Sequence, residues 1–478
     1  MNNPTKPEYT PLTQVHVDEL IRIVGKANVI FGDPERLQAF SHDEAAHCET
    51  VLPEALVRPA SAEEISAILR FANRHHIAVT ARGAGSGLSG GAVPLYRGLV
   101  LDCSRMSRIL EIDRQNLTIT VEPGVITAEI NEMLRPYNLF YAGYPMSLET
   151  CMIGGNVAEN AGGGKAVKYG VTGRYVLGMD VVTANGDIVS LGGKLVKDVS
   201  GLNLLQLMVG SEGILGIFSK IILKLLPQPK ASIDLLCLFD NFEQAISVVP
   251  KIITEGGIIP TAIEFMDRLS FQTACQYLNE SLPCEDTQAM LLITVDGANL
   301  EQVEQEYDII GEQCLKAGAS AVYVADTKAN SERVWRIRRS IAEAFKVFSP
   351  QQSLEDIVVP IAAIPAMSKA INELSRKYGV LIPCYGHAGD GNLHATPVMP
   401  PEWALGKWNA ILPEILHELY QETRKLGGRI SGEHGIGHKR KKYLLETVDP
   451  GFIQMMQAIK KALDPNGILN PGKIIDCS

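Results

Sequence analysis

The sequence contains no apolar run approaching the ~18–20 residues that a membrane-crossing helix needs, so no membrane span is expected. It also lacks any block of clustered lysine or arginine: 44 Lys and Arg stand against 54 Asp and Glu, for a formal charge of −10. Nucleic-acid binding draws on a basic face that releases counterions from phosphates, and this balance argues against that class. Short internal repeats and low-complexity stretches are absent too. The nine cysteines (Cys48, Cys103, Cys151, Cys237, Cys275, Cys284, Cys314, Cys384, Cys477) are scattered, with no CxxC spacing. Zinc ribbons and iron–sulfur clusters are thereby removed. An odd cysteine count, and a polar opening MNNPTKPEYTPL unlike a secretory leader, point to the reducing cytoplasm.

What is present is an ordinary globular composition, 46% hydrophobic and 21% charged, in a chain of 478 residues. Two or three domains are expected at that length. The lead, residues 1–54, is read as helical, with Val15, Leu20, Ile21 and Ile23 of LTQVHVDELIRIVG at helical spacing. ALVRP then reads as a strand, and Ser61 with Glu64 as a capping box for a helix with Ile65, Ile68, Leu69 and Ala72 on one face. The run 77–80 is a second strand, making a βαβ unit. Further strands follow in GLVLD, ILEID and LTITVEPG, and Asn185-Gly186 joins GMDVVTA to DIVSLGG as a hairpin. The prolines of KLLPQPK mark a boundary near 228. Beyond it, DLLCLF, TAIEFM, MLLITVDG and SAVYVAD alternate with amphipathic helices, which predicts antiparallel strands backed by helices. YGHAGDGNLHATP is read as a hairpin turning at Asp390-Gly391, followed by helices over 403–426 and 449–463.

Glycine is concentrated where a ligand would be cradled. RGAGSGLSGG, Arg82 to Gly91, follows a strand directly and can gather backbone N–H groups into a nest for phosphate oxygens. Gly85, Gly87 and Gly90 satisfy GxGxxG, but the chain continues as GAVPLYRG rather than opening a helix, so a Rossmann site is disfavoured. IGGNVAENAGGGKAVKYG (153–170) and VGSEGILG (209–216) add further glycine turns. Lys165 is not followed by Ser or Thr, so there is no P-loop. Widely separated glycine loops together suit one extended ligand, such as a pyrophosphate-bridged dinucleotide.

His387 and His394 flank the turn of HAGDGNLH, and a hairpin would bring both imidazoles to one side of the ribbon. Glu433 and His434 lie in the glycine-flanked ISGEHGIGHK. Two imidazoles and one carboxylate make a three-ligand metal site with open positions, the condition for catalysis. His438 is set aside because the adjoining HKRKK reads as a solvated basic face. VWRIRRSIAEAF carries Arg336, Arg338 and Arg339 on an expected helix; one facing inward could grip a carboxylate, though periodicity does not say which.

RGAGSGLSGG, IGGNVAENAGG, GSEGILG, HAGDGNLH, SGEHGIG and DPNGILNPGK, in this order, resemble the FAD-linked oxidases of the vanillyl-alcohol oxidase type. Within them they resemble the branch of D-lactate dehydrogenase, the D component of glycolate oxidase and D-2-hydroxyglutarate dehydrogenase, from about residue 38 to the C-terminus. The resemblance implies an α+β chain: a two-part FAD-binding domain over 55–228, a cap of antiparallel strands and helices over 229–425, and a segment 426–478 returning to the FAD domain. It implies that Arg82, Gly83, Ala84, Gly85, Ser86, Gly87 and Ser89 bind the pyrophosphate. Pro145, Ser147, Gly154, Gly155, Asn156, Glu212, Gly213 and Asn470 would line the flavin. It further implies His387, His394 and Glu433 as ligands of a divalent metal (Zn, Fe or Mn) and His434 as the base. Asn392 would hold substrate oxygens and Arg338 the substrate carboxylate.

The activity implied is oxidation of a small D-2-hydroxy acid, D-lactate first, with hydride passing to flavin N5. Electrons would go to an electron-transferring flavoprotein or a separate iron–sulfur subunit, the latter as in the alternative of a glycolate oxidase component. The glycine loop has no His or Cys for a covalent flavin link, so the FAD is expected to be dissociable. Ala342 and LEDIVVP stand where dicarboxylate-binding relatives carry a threonine and a lysine, which argues against a dicarboxylate. Two rival classes use part of the pattern: a flavin-free 2-His-1-carboxylate iron oxygenase, and a flavin-binding subunit that only relays electrons.

Overall fold

The computed structural model describes residues 8–282, 284, 286–325 and 327–476; the first seven residues and Cys477 lie outside. Two compact units emerge: Met1–Gly162, Val171–Pro227 and Glu433–Ser478 form one, Gly163–Gly170 and Gln228–Gly432 the other. Among the described residues, no helix is long and apolar enough to cross a membrane.

In the first unit, helix Gln14–Val24 buries Val17, Leu20 and Val24. Val15, expected on that face, is 72% exposed, because the 3.6-residue period sets it opposite Val17. Ser61 caps helix Ala62–His75 by accepting from Glu64 N at 3.2 Å. The Glu64 carboxylate reaches past the cap to Ala60 N, at 2.7 Å, so the box is one residue wider than expected. Ile65, Ile68, Leu69 and Ala72 are all buried on the predicted face. The strands on either side of this helix, Ala55–Val57 and Val79–Arg82, do not pair with each other. Strand Leu99–Asp102 lies between them, parallel to both, so the simple βαβ unit is corrected to a crossover around an inserted strand.

The second sheet of this unit runs 109–113, 118–121, 217–224, 176–182, 188–192, antiparallel throughout. Gly186, at φ +81°, makes the expected hairpin turn, closed by Thr183 N donating to Asp187 O at 2.9 Å. The C-terminal segment returns beside Val79–Arg82: Val79 N donates to Ile468 O at 2.8 Å and Asn470 N to Val79 O at 2.7 Å. Sequence distance is thereby collapsed: Asn470 lies beside the start of the strand that leads to the Arg82 loop, and its side-chain amide donates to Gly91 O at 3.0 Å.

The other unit is built on a seven-stranded antiparallel sheet, ordered 319–325, 231–239, 289–297, 262–267, 384–387, 392–395, 355–358. Helices cover it, and its core packs Leu236, Met266, Phe271, Leu292, Ile337 and Phe345 together. Strands Cys384–His387 and Asn392–Ala395 are the predicted hairpin. Gly391, φ +86°, is obligatory in its turn, since a Cβ there would lie 2.0 Å from Val359 O.

Candidate active site

In the first unit the glycine-rich segments converge on a cavity of about 300 Å³. Arg82 to Gly87, Pro145, Ser147, Gly154 to Asn156, Glu212, Gly213, Asn470, Glu433 and His434 all line it. Gly83, Gly85, Gly87, Gly154, Gly155 and Gly213 are among its lining residues, beside larger side chains such as Met146, Met152 and Phe218. A Cβ on Gly155 would meet open space, while one on Gly154 would strike Pro123 at 2.7 Å. Such a cradle fits a dinucleotide.

Only Gly85 and Gly90 of the five loop glycines adopt positive φ. At Gly85 the reason is local: a Cβ would fall 2.1 Å from Nη2 of Arg82. The Arg82 guanidinium is folded beneath its own loop, donating to His42 O at 2.7 Å and Ala39 O at 3.2 Å. Burial lowers its pKa, partly opposed by Asp43, Asp102 and Glu44. Arg82 therefore shapes the turn, and the loop backbone is left to face a ligand. Ser89 is fully buried and does not line the cavity itself; it donates at 3.1 Å to Oε1 of Glu159, which does.

Glu433 and His434 lie on the cavity wall, with 3.6 Å between Oε1 and Nε2. The segment that carries them is gripped by Glu212, which accepts from Ile436 N at 2.7 Å and Gly437 N at 2.6 Å. Gly435, φ +86°, sits on two carboxylates: a Cβ there would meet Glu159 Oε2 at 1.9 Å and Glu212 Oε1 at 3.1 Å. Burial, then the charge of Glu212, pushes the Glu159 carboxyl well above its ordinary range. Burial pushes Glu212 up to about 7, against the pull of the two amides and of Arg440. The expected solvated face at HKRKK is corrected here. Arg440 is fully buried and donates to Gly435 O at 3.1 Å and Leu88 O at 3.3 Å, tying this segment to the glycine loop.

The other unit gathers a second set of polar groups on its hairpin. His387 faces Asn392 and Tyr385 faces His394 across the pair, so strand alternation puts all of them on one side. The His387 and His394 rings are 5.4 Å apart, edge to face, and both residues are buried. Of the arginines on helix Lys328–Arg339, Arg338 is the inward one, 4% exposed, with its guanidinium 5.0 Å from the Tyr385 ring centre. Its Nη2 stands 2.7 Å from Glu264 Oε2 in ion-pair contact. The Nη2 contact is an ion pair without aligned hydrogen-bond geometry, and Nε makes no hydrogen bond among the described residues. Asn392 gives its amide N–H groups to Asp356 Oδ1 at 2.7 Å and Ile357 O at 3.0 Å, which leaves its Oδ1 as a buried, unused acceptor.

Sequence reasoning missed Glu264, Asp356 and Glu159. Each is an acid inside a largely apolar or glycine-rich stretch (TAIEFM, LEDIVVP, NVAENAGG), a signal that marks burial but not the partner. Glu264 accepts at 2.6 Å from His387 Nδ1. Burial alone would raise its pKa, but His387 and Arg338 facing it outweigh burial and hold it below the usual carboxylate range. Asp356 also accepts from Ser431 Oγ at 2.7 Å and Gly432 N at 2.9 Å.

Comparison with known proteins adds independent findings. Residues 53–192 match the FAD binding domain, and residues 228–474 match the C-terminal domain of FAD linked oxidases. The chain is 40% identical to glycolate oxidase subunit GlcD of Bacillus subtilis (strain 168), over 96% of each chain. It is 36% identical to D-lactate dehydrogenase of Anaerostipes hadrus, over 98% of each. Among solved structures, p-cresol methylhydroxylase shares the fold, with a TM-score of 0.76 over 97% of each chain at 20% identity.

Proposed function

The chain belongs to the FAD-linked oxidases, and on that premise we propose that it is a dehydrogenase of small D-2-hydroxy acids, D-lactate first. The observation that carries the substrate class is Arg338: a buried guanidinium only one edge of which is held by Glu264, with Nε unpartnered among the described residues and two buried imidazoles in the same unit, suits one small carboxylate. His387, His394 and Glu433 would hold a divalent metal, and Arg82 to Gly87, Pro145, Ser147, Gly154 to Asn156, Glu212, Gly213 and Asn470 the FAD. When bound, the metal supplies a Lewis acid for the substrate hydroxyl, and FAD accepts the hydride.

The remaining chemistry falls to side chains. Arg338 grips the carboxylate and so selects which hydrogen of C2 is presented. Asn392 has spent both N–H groups, so only its Oδ1, an acceptor, remains to face the substrate, and it does not donate to a carboxylate. His434 takes the hydroxyl proton as general base. Electrons leave to a protein acceptor, an electron-transferring flavoprotein or an iron–sulfur subunit, since the chain carries no cluster motif of its own. Six buried cysteines, Cys103, Cys151, Cys237, Cys275, Cys314 and Cys384, are all thiols, which supports a reducing, cytoplasmic setting. Glycolate is the second reading, favoured by the identity to the Bacillus glycolate oxidase protein.

The test is anaerobic bleaching of the flavin by a panel of D- and L-2-hydroxy acids, before and after chelation. Bleaching by D-lactate that chelation abolishes is the expected result. A flavin that no D-acid bleaches sinks the proposal, and preference for glycolate over D-lactate selects the second reading.

A further inference from the structure

Glu264 lies in strand Ala262–Asp267, fully buried and directly opposite His387 in the antiparallel pair. Backbone closes over it as well, since a Cβ on Gly164 would stand 2.7 Å from Oε1. A carboxylate enclosed in this way is costly unless its oxygens meet charged or hydrogen-bonding partners. Here each oxygen meets a different one: Oε1 the Nδ1 of His387, at 2.6 Å, and Oε2 the Nη2 of Arg338, at 2.7 Å.

We propose that Glu264 is a positioning residue that sets two functional groups at once, the tautomer of His387 and the aim of Arg338. An imidazole can ligate a cation through either nitrogen, and the hydrogen bond made by the other nitrogen decides which. An ionised carboxylate can only accept, so the proton of His387 is held on Nδ1 and the lone pair is presented at Nε2. The same carboxylate draws one edge of the Arg338 fork to itself, which fixes the guanidinium plane and leaves the other donors for a substrate carboxylate. Glu264 thus links metal affinity to substrate affinity through one strand position. The inference rests on the metal and substrate reading of the preceding subsection.

The test uses full-length, FAD-loaded protein stripped of metal. Zn²⁺ affinity is measured by competition with a fluorescent chelator, together with FAD content and the KM and kcat for D-lactate. Glu264→Gln is expected to retain FAD, bind Zn²⁺ roughly 10–100-fold more weakly, and raise KM. Glu264→Asp keeps the charge but shortens the reach; it serves if the glutamine variant does not fold, and an intermediate loss is expected. A folded variant with wild-type Zn²⁺ affinity and wild-type KM overturns the role of Glu264 alone. Wild-type protein that binds no Zn²⁺ overturns the metal reading, and this inference with it.

Discussion

Arg336, Arg338 and Arg339 are close neighbours on one helix, yet only Arg338 is sequestered; the other two reach Glu280 and Glu332 at the surface. Their spacing alone could not separate them, because the choice depends on how the helix is rotated against its sheet. Lysine cannot reproduce a planar fork, so Arg338→Lys should raise KM for D-lactate roughly 10–100-fold, the worth of a charge-assisted bond of about 1.5–3 kcal/mol. Steady-state kinetics with saturating acceptor would show it, and an unchanged KM would remove Arg338 from the substrate. His434→Ala should stay yellow but lose about 10²–10⁴-fold in turnover, read from flavin absorbance and kcat on one preparation. Retained turnover would end its assignment as base. At this scale the sequence exposed the histidines, because glycine and turn residues marked them, and concealed Glu264, because one acid in a strand gives no sign of what it faces.

At the scale of elements, local chemistry was most legible. The capped helix Ala62–His75 and the Asp390-Gly391 hairpin form where cap and turn residues say they should. The Arg82 to Gly91 loop was recognised as a cradle, but its internal brace was not, since Arg82 turns back under Gly85 to reach Ala39 and His42. Gly85→Ala places a methyl on that guanidinium at a φ of +75° that alanine resists. FAD affinity, followed by flavin fluorescence on dilution, should fall by at least tenfold while the fold persists. Wild-type affinity would mean that the loop does not shape the cofactor site. The same loop offers no His or Cys to form a flavin link. Acid precipitation should therefore leave the yellow colour in the supernatant, and a yellow pellet would contradict a dissociable FAD.

Across the whole molecule, the Glu159 and Glu212 carboxyls should give the first unit a distinctive pH response. Both bind protons more tightly folded than unfolded, with Glu212 moved from 4.5 up to about 7. The folded chain therefore holds more protons than the unfolded chain through that window, and stability must fall as pH rises across it. Thermal midpoints from about pH 4.5 to 8 should decline, and Glu159→Gln, neutral throughout, should flatten the decline. A midpoint that climbs through this range would show the two acids to be ionised and paired.

Motif order, cap and turn residues, and the alternation of apolar positions were enough to indicate the family, the run of secondary structure and most of the glycine segments that line the first unit's cavity. Those features depend on contacts within a few residues of one another and on backbone freedom, which composition records directly. The insertion of Leu99–Asp102 between two strands, the return of Asn470 to the first of the glycine loops, and the burial of Arg338, Arg440 and Glu264 were settled only in three dimensions. A side chain's burial and partner are set by elements distant in the chain, and one sequence carries no measure of that proximity.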